Sequence, residues 1–97
     1  MSFRVEFTRH LRQQIVSWQL SDFLLVEVNL RLRQDLADQP ARVLQRQRRP
    51  FDGMCYSFSM IDPENRLREH LFVFHILYSQ DEERIFVARG RYHRRDN

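Results

Sequence analysis

The chain has no lysine, one cysteine, two glycines and three prolines among its 97 residues. The lone cysteine, Cys55, cannot form an intramolecular disulfide, which favours a reducing compartment. Apolar runs are short, such as residues 23–26 and 71–74, whereas a membrane-spanning helix needs about 18 to 20 apolar residues. The first residues also lack the apolar segment of a signal peptide. We therefore expect a soluble, cytoplasmic protein that does not interact with a membrane.

The charged residues are dominated by arginine. All sixteen basic residues are arginines, against thirteen acidic residues, so the formal net charge is +3 at pH 7. Guanidinium groups form paired hydrogen bonds with carboxylates and phosphates. A chain of 97 residues can bury one hydrophobic core, but it is too short for a second domain and a deep cofactor cleft. We therefore expect a single domain over residues 1–97, with no cofactor and no metal site.

The first half of the chain predicts one strand and two helices. Apolar and charged residues alternate over Ser2 to Phe7, as in a strand with one buried face. Thr8 can cap a helix, since apolar residues follow it at helical spacing: Leu11, Ile15 and Trp18. A second helix is predicted from about Asp22 to Ala37, before Pro40. Its predicted apolar stripe is Leu25, Val28, Leu32 and Leu36, broadened by Leu24 and Val26.

The segment from Gln39 to Gly53 is predicted to be a basic surface loop. It contains two prolines, few apolar residues and four arginines within eight residues, Arg42, Arg46, Arg48 and Arg49. A solvated loop explains this composition, but clustered guanidinium groups also bind nucleic-acid backbones. We keep Arg46 and Arg49 as candidate phosphate contacts.

The second half predicts three strands. Apolar residues alternate with small polar ones from Met54 to Met60, and a turn signal follows at residues 62–65. Both faces are apolar in Leu67 to Tyr78, which predicts a central strand covered on both sides. After a polar loop from Ser79 to Glu83, a last strand is predicted from Arg84 to about His93.

The last strand changes character along its length. If it is regular, one face runs from apolar residues into a basic cluster, in the order Ile85, Val87, Arg89, Arg91 and His93. Tyr92 then points to the other face, unless a bulge near Gly90 redirects it. His70 and His75 are an odd number of residues apart, so they face opposite ways and do not share a metal site. We interpret both as structural.

The element order and three segments, 3–8, 70–78 and 91–96, resemble the RelE/ParE superfamily of toxins from bacterial type II toxin–antitoxin systems. The resemblance spans nearly the whole chain. It implies an α+β fold of order β-α-α-β-β-β, in which two N-terminal helices pack on a mostly antiparallel four-stranded sheet. It also implies a small acidic antitoxin as partner.

Two branches of that superfamily have similar endings. One branch cleaves mRNA on the ribosome without a metal ion and often ends in Arg-Tyr-His, as residues 91–93 do. For this chain the resemblance implies catalytic roles for His93, Arg91 and Tyr92, and RNA or phosphate contacts by Arg68, Arg89, Arg94 and Arg95 besides Arg46 and Arg49. The chain departs from that branch in having Arg94 where a tyrosine is usual and Leu71 where an arginine is usual.

The other branch inhibits DNA gyrase without catalysis, and its endings resemble residues 93–96. Cleavage of RNA without a metal needs a base for the 2′-hydroxyl group, cations for the phosphate and an acid for the leaving oxygen. An imidazole among guanidinium groups suits the first two tasks. The sequence therefore favours an endoribonuclease toxin, and leaves open a gyrase inhibitor and a family member that only binds.

Overall fold

The computed structural model describes residues 3–38, 45–47, 53–79 and 82–96. These residues form two helices and five strands. In chain order the elements are β1 (Arg4–Phe7), α1 (Arg9–Ser17), α2 (Asp22–Asp38), β2 (Gln45–Gln47), β3 (Gly53–Ile61), β4 (Arg68–Ser79) and β5 (Arg84–Asp96).

The strands form one sheet in the order β1-β5-β4-β3-β2. β1 runs parallel to β5, and every other neighbouring pair is antiparallel. The predicted α+β class, the two helices and the mostly antiparallel sheet are thus confirmed. Gln45–Gln47 add a short fifth strand at one edge, within the segment predicted to be a loop. The rest of that segment, including Arg49, lies outside the described residues.

Both helices begin at hydroxyl side chains that accept backbone hydrogen bonds. The Thr8 hydroxyl oxygen accepts from the Leu11 N–H group at 3.2 Å, which confirms the predicted cap, and its own proton is donated to the Ala88 carbonyl oxygen at 2.6 Å. The Ser21 hydroxyl oxygen accepts from the Leu24 N–H group at 3.3 Å. Such caps satisfy backbone donors that a helix start leaves without partners. The Thr8 contacts also tie the start of α1 to β5.

The core lies between the two helices and one face of the sheet. Its fully buried side chains come from both helices and from β4 and β5, and include Leu11, Val28, Leu32, Leu36, Phe72, Phe74, Ile76, Ile85 and Val87. The predicted stripe of α2 is partly wrong, because Leu24 is buried while Leu25 and Val26 are exposed. Residues 24, 28, 32 and 36 follow a spacing of four, and this narrow row is what α2 presents to the sheet.

β4 occupies the middle of the sheet, as predicted, but its side chains on one face are only partly buried. In the described part of the chain, both helices pack on the face that carries Phe72, Phe74 and Ile76. On the other face Leu71 and Val73 are half-buried, and Leu77 is 51% exposed. We call this side, away from the helices, the open face.

A β-bulge reverses the alternation of β5. Ile76 of β4 pairs with Val87, but the next residue, His75, pairs with Arg89, so that Ala88 is an extra residue in β5. Before the bulge, Ile85 and Val87 face the helices. After the bulge the even-numbered residues do so, and the predicted continuous face from Ile85 to His93 is wrong. The basic residues at odd positions lie on the open face instead.

Gly90 marks the place where α1 approaches β5 most closely. The Gln14 side chain donates its amide N–H to the Gly90 carbonyl oxygen at 3.1 Å and accepts from the Gly90 N–H group at 2.9 Å. A Cβ atom on Gly90 would lie 2.8 Å from Cδ1 of Phe74 and 3.0 Å from Cη2 of Trp18. Only a residue without a side chain therefore fits under the helix here.

Gly90→Ala should lower the free energy of unfolding by about 1 to 3 kcal/mol, because the buried Phe74 ring and the partly buried Trp18 ring must move to make room for a methyl group. Equilibrium unfolding in urea measures the effect. Ser59→Ala on the exposed surface of β3 is the matched control and should change stability by less than about 0.5 kcal/mol. Equal stability of Gly90→Ala and the wild type would contradict the close packing.

Candidate nucleic-acid interface

Four side chains of the last strand form a row on the open face. They alternate along β5 after the bulge and all are exposed: Arg89, Arg91, His93 and Arg95. Residues two apart on a strand are about 6.8 Å apart, so each side chain is next to its neighbour in the row. We call these four residues the basic row. The bulge at Ala88 brings them to one surface and directs them away from the core.

The strands beside the basic row supply apolar and hydroxyl side chains. Leu71 lies opposite His93, and Val73 opposite Arg91. Ser57 and Ser59 of β3 continue the same cross-strand rows. These four residues of β3 and β4 line a shallow groove of about 290 Å³. Cations beside a groove with hydroxyl groups can contact a phosphate backbone and the sugars or bases attached to it.

Acidic groups compensate part of this charge. The Arg95 guanidinium forms an ion pair with the Glu69 carboxylate, which lies opposite it on β4. An anion that binds Arg95 therefore has to compete with Glu69.

His75 and Cys55 lie in the row that continues Arg89 across the sheet. Burial, and then the charge of Arg89, lower the pKa of His75 below its usual value of 6.5.

The structure does not bring the three predicted catalytic residues together. His93 and Arg91 lie on the open face, whereas Tyr92 lies on the helix face, where its ring packs against Trp18 with centroids 5.7 Å apart. Successive residues of a strand point to opposite faces, so no regular strand places Tyr92 beside His93. The predicted phosphate contacts divide in the same way.

Arg89 and Arg95 belong to the basic row, but Arg68 and Arg94 line a cleft on the helix side together with Tyr92. Arg46 lies in β2, and the position of its side chain is not described. The predicted phosphate contact Arg49 lies outside the described residues. The basic row is therefore the largest part of the predicted site that the structure holds on one surface.

His70 is a polar partner of Tyr92 that the sequence did not pair with it, and Asp62 is the second partner of His70. The His70 ring is 3% exposed, with Nδ1 2.6 Å from the Tyr92 hydroxyl oxygen and Nε2 2.8 Å from Oδ2 of Asp62. His70, Phe72 and Phe74 lie two residues apart along β4, so the alternation of the strand did indicate that the His70 ring is on the core face, where a polar group needs partners. Its partners lie 8 and 22 residues away in the chain, and local spacing could not identify them.

The ionisation of this group follows from its contacts. Burial raises the pKa of the Tyr92 phenol, which keeps it protonated at neutral pH. The hydrogen bond from His70 lowers the pKa of the Asp62 carboxyl group, so that carboxyl group is ionised. In the same way, the hydrogen bond from Arg68 lowers the pKa of Asp96.

Metal binding and membrane insertion are two other functions on which the described residues bear. No group of three His, Cys, Asp or Glu side chains among them could hold a metal ion. Neither described helix is long and apolar enough to cross a membrane.

His70 and His75 lie on opposite faces of β4, as predicted.

The lowered pKa of His75 makes stability depend on pH. Its pKa is lower in the folded than in the unfolded chain, so its contribution to stability is present above pH 6.5 and is lost as the pH falls below that value. His75→Gln should therefore lose less stability than the wild type between about pH 7.5 and about pH 5.5, in urea unfolding at both pH values. Ser57→Ala on the same face should keep the wild-type dependence. If the stability of His75→Gln falls between these pH values as much as that of the wild type, His75 is not a source of the pH dependence.

Comparison with known proteins gives no match for this chain. No family model, no curated protein and no solved structure is significantly similar to it. The basic row on the open face and the buried contacts of Tyr92 on the helix face are therefore the observations from which a function can be inferred.

Proposed function

We propose that this protein is a toxin of the RelE/ParE superfamily that cleaves mRNA on the ribosome without a metal ion. The observation that carries the proposal is the basic row, in which His93 stands between Arg91 and Arg95 on one exposed surface. The three guanidinium groups of the row supply cations, and the imidazole supplies a proton acceptor. The element order of the chain, which resembles that superfamily, supports the same function.

The chemistry follows from what each side chain can do. His93 accepts the proton of a ribose 2′-hydroxyl group, and the 2′-oxygen attacks the adjacent phosphorus. Arg91, with Arg89 and Arg95 on either side of the pair, stabilises the charge that builds on the phosphate oxygens. The bond from phosphorus to the 5′-oxygen breaks, and this oxygen takes a proton from the His93 imidazolium or from water. The products are a 2′,3′-cyclic phosphate and a 5′-hydroxyl end.

An acidic antitoxin is the partner that fits this surface. The basic row is exposed, and Leu71 and Val73 beside it are half-buried, so a chain with carboxylates and a few apolar residues can cover both. Covering the row removes His93 from RNA. We propose that the toxin acts in the cytoplasm and is inhibited by such a partner.

Induced expression in bacteria, with pulse labelling of protein and DNA synthesis, tests the function. Protein synthesis should stop first, and His93→Ala should restore both protein synthesis and growth, because the proton acceptor is lost. His10→Ala, on the exposed surface of α1, is the matched histidine control and should remain toxic.

Two outcomes would contradict the proposal. Arrested DNA synthesis with normal protein synthesis would indicate a gyrase inhibitor instead. Growth without any arrest, by a protein that is folded and expressed, would indicate a family member that only binds. A cleavage assay with purified ribosomes and mRNA then tests the activity directly. The wild type should cleave the mRNA, and His93→Ala should not.

A further inference from the structure

The helix side of the sheet carries a second concave surface, which we call the cleft. It has a volume of about 670 Å³ and lies between the α1–α2 connection, the turn from β3 to β4 and the end of β5. Apolar side chains from the helices line one wall and polar side chains from the strands line the other. The side chains used below are Trp18, Phe23, Asp62, Arg68, His70, Tyr92 and Arg94.

The apolar wall consists of aromatic rings held from behind. Trp18 packs on Phe72 and Tyr92, with ring centroids 6.1 and 5.7 Å apart, and it is itself only partly buried. Phe23, in the first turn of α2, is 51% exposed. Ring surfaces of this kind stack on planar groups, and every nucleobase is planar.

The polar wall carries two guanidinium groups at its outer end, those of Arg68 and Arg94. Nε of Arg68 lies 2.8 Å from Oδ1 of Asp96, and Nε of Arg94 lies 3.6 Å from Oδ2 of the same carboxylate. Two guanidinium groups thus share one carboxylate, and the Asp62 carboxylate lines the same wall. Both contacts to Asp96 use Nε and not the terminal nitrogens. A phosphodiester can accept hydrogen bonds from two neighbouring guanidinium groups.

The hydroxyl group of Tyr92 lies at the inner end of the cleft with a fixed orientation. The Asp62 carboxylate only accepts, so in a neutral His70 ring Nε2 carries the proton and Nδ1 accepts from the Tyr92 hydroxyl group. The other carboxylate oxygen of Asp62 accepts from the Glu64 N–H group at 2.8 Å. In that tautomer the phenolic proton is directed at His70, and the Tyr92 oxygen offers lone pairs to a donor in the cleft.

We propose that the cleft binds one nucleotide of single-stranded RNA. The phosphodiester lies between Arg68 and Arg94, the base stacks on Trp18, and the 2′-hydroxyl group donates to the Tyr92 oxygen. The choice of RNA rests on the function proposed above, but the cleft is a separate site, since alternate residues of β5 face the cleft and the basic row. A hydroxyl acceptor at this point distinguishes ribose from deoxyribose.

Trp18 is the only tryptophan of the chain, so its fluorescence reports directly on the cleft. The full-length protein, carrying His93→Ala to prevent cleavage, is titrated with the dinucleotides ApA and UpU, with their 2′-deoxy counterparts and with inorganic phosphate. The ribodinucleotides should change the fluorescence and bind about fivefold to tenfold more tightly than the deoxy forms, which corresponds to one hydrogen bond. Inorganic phosphate should compete weakly.

Three variants in the same background test the assigned contacts. Tyr92→Phe keeps the ring and should abolish the preference for ribose. Arg94→Gln should weaken the binding of both sugars by about tenfold, because one charged contact to the phosphate is lost. Arg66→Gln is the matched control, since Arg66 is exposed in the turn before β4 and does not line the cleft. Thermal unfolding verifies that each variant is folded.

The outcomes separate the possibilities. If no dinucleotide changes the fluorescence of Trp18, the proposal that the cleft binds a nucleotide is overturned. Equal binding of ribose and deoxyribose, or a ribose preference that survives in Tyr92→Phe, overturns the role of Tyr92. Competition by inorganic phosphate as strong as that of ApA shows a simple anion site and overturns nucleotide binding. If Tyr92→Phe does not fold, dinucleotide binding by Arg94→Gln, compared with Arg66→Gln, still tests the site: equal binding by the two variants overturns it. None of these readouts depends on toxicity or cleavage, so this proposal can fail while the proposed function stands.

Discussion

The bulge at Ala88 is the constraint on which the functional surfaces of this protein depend. One extra residue in β5 lets the first half of the strand bury Ile85 and Val87 against the helices, while the second half turns its basic residues to the open face. Without it, the arginines at 89 and 91 would face the core, where a charged group without a partner is costly. The Thr8 hydroxyl group donates to the Ala88 carbonyl oxygen, so the start of α1 holds the bulge in place.

The same bulge directs Tyr92 and Arg94 toward the helices, and there His70 completes the arrangement. A buried imidazole needs partners for both ring nitrogens, and it finds them in the turn before β4 and near the end of β5. The three side chains thereby join two segments that are distant in the chain. The hydroxyl group of Tyr92 is consequently oriented in the cleft rather than free to rotate.

β5 thus presents two different chemistries on its two faces. The open face offers exposed cations and an imidazole beside a shallow groove, which suits contact with a phosphate backbone. The helix face offers aromatic rings, an oriented hydroxyl group and two guanidinium groups that share one carboxylate. Both surfaces adjoin the same end of β5, where Arg89, Arg91, His93 and Arg95 face one way and Tyr92 and Arg94 face the other.

The sequence by itself determined both helices and every described strand except β2. Alternation predicted the strands, and the Thr8 cap and helical spacing predicted the helices, because capping and periodicity are local properties of the chain. It also placed a basic ending on the last strand. The tertiary structure alone decided which face each residue occupies after Ala88, that Leu24 rather than Leu25 is buried, and that His70 meets both Asp62 and Tyr92. A bulge and a buried hydrogen-bond chain depend on partners far away in sequence, and no local pattern records them.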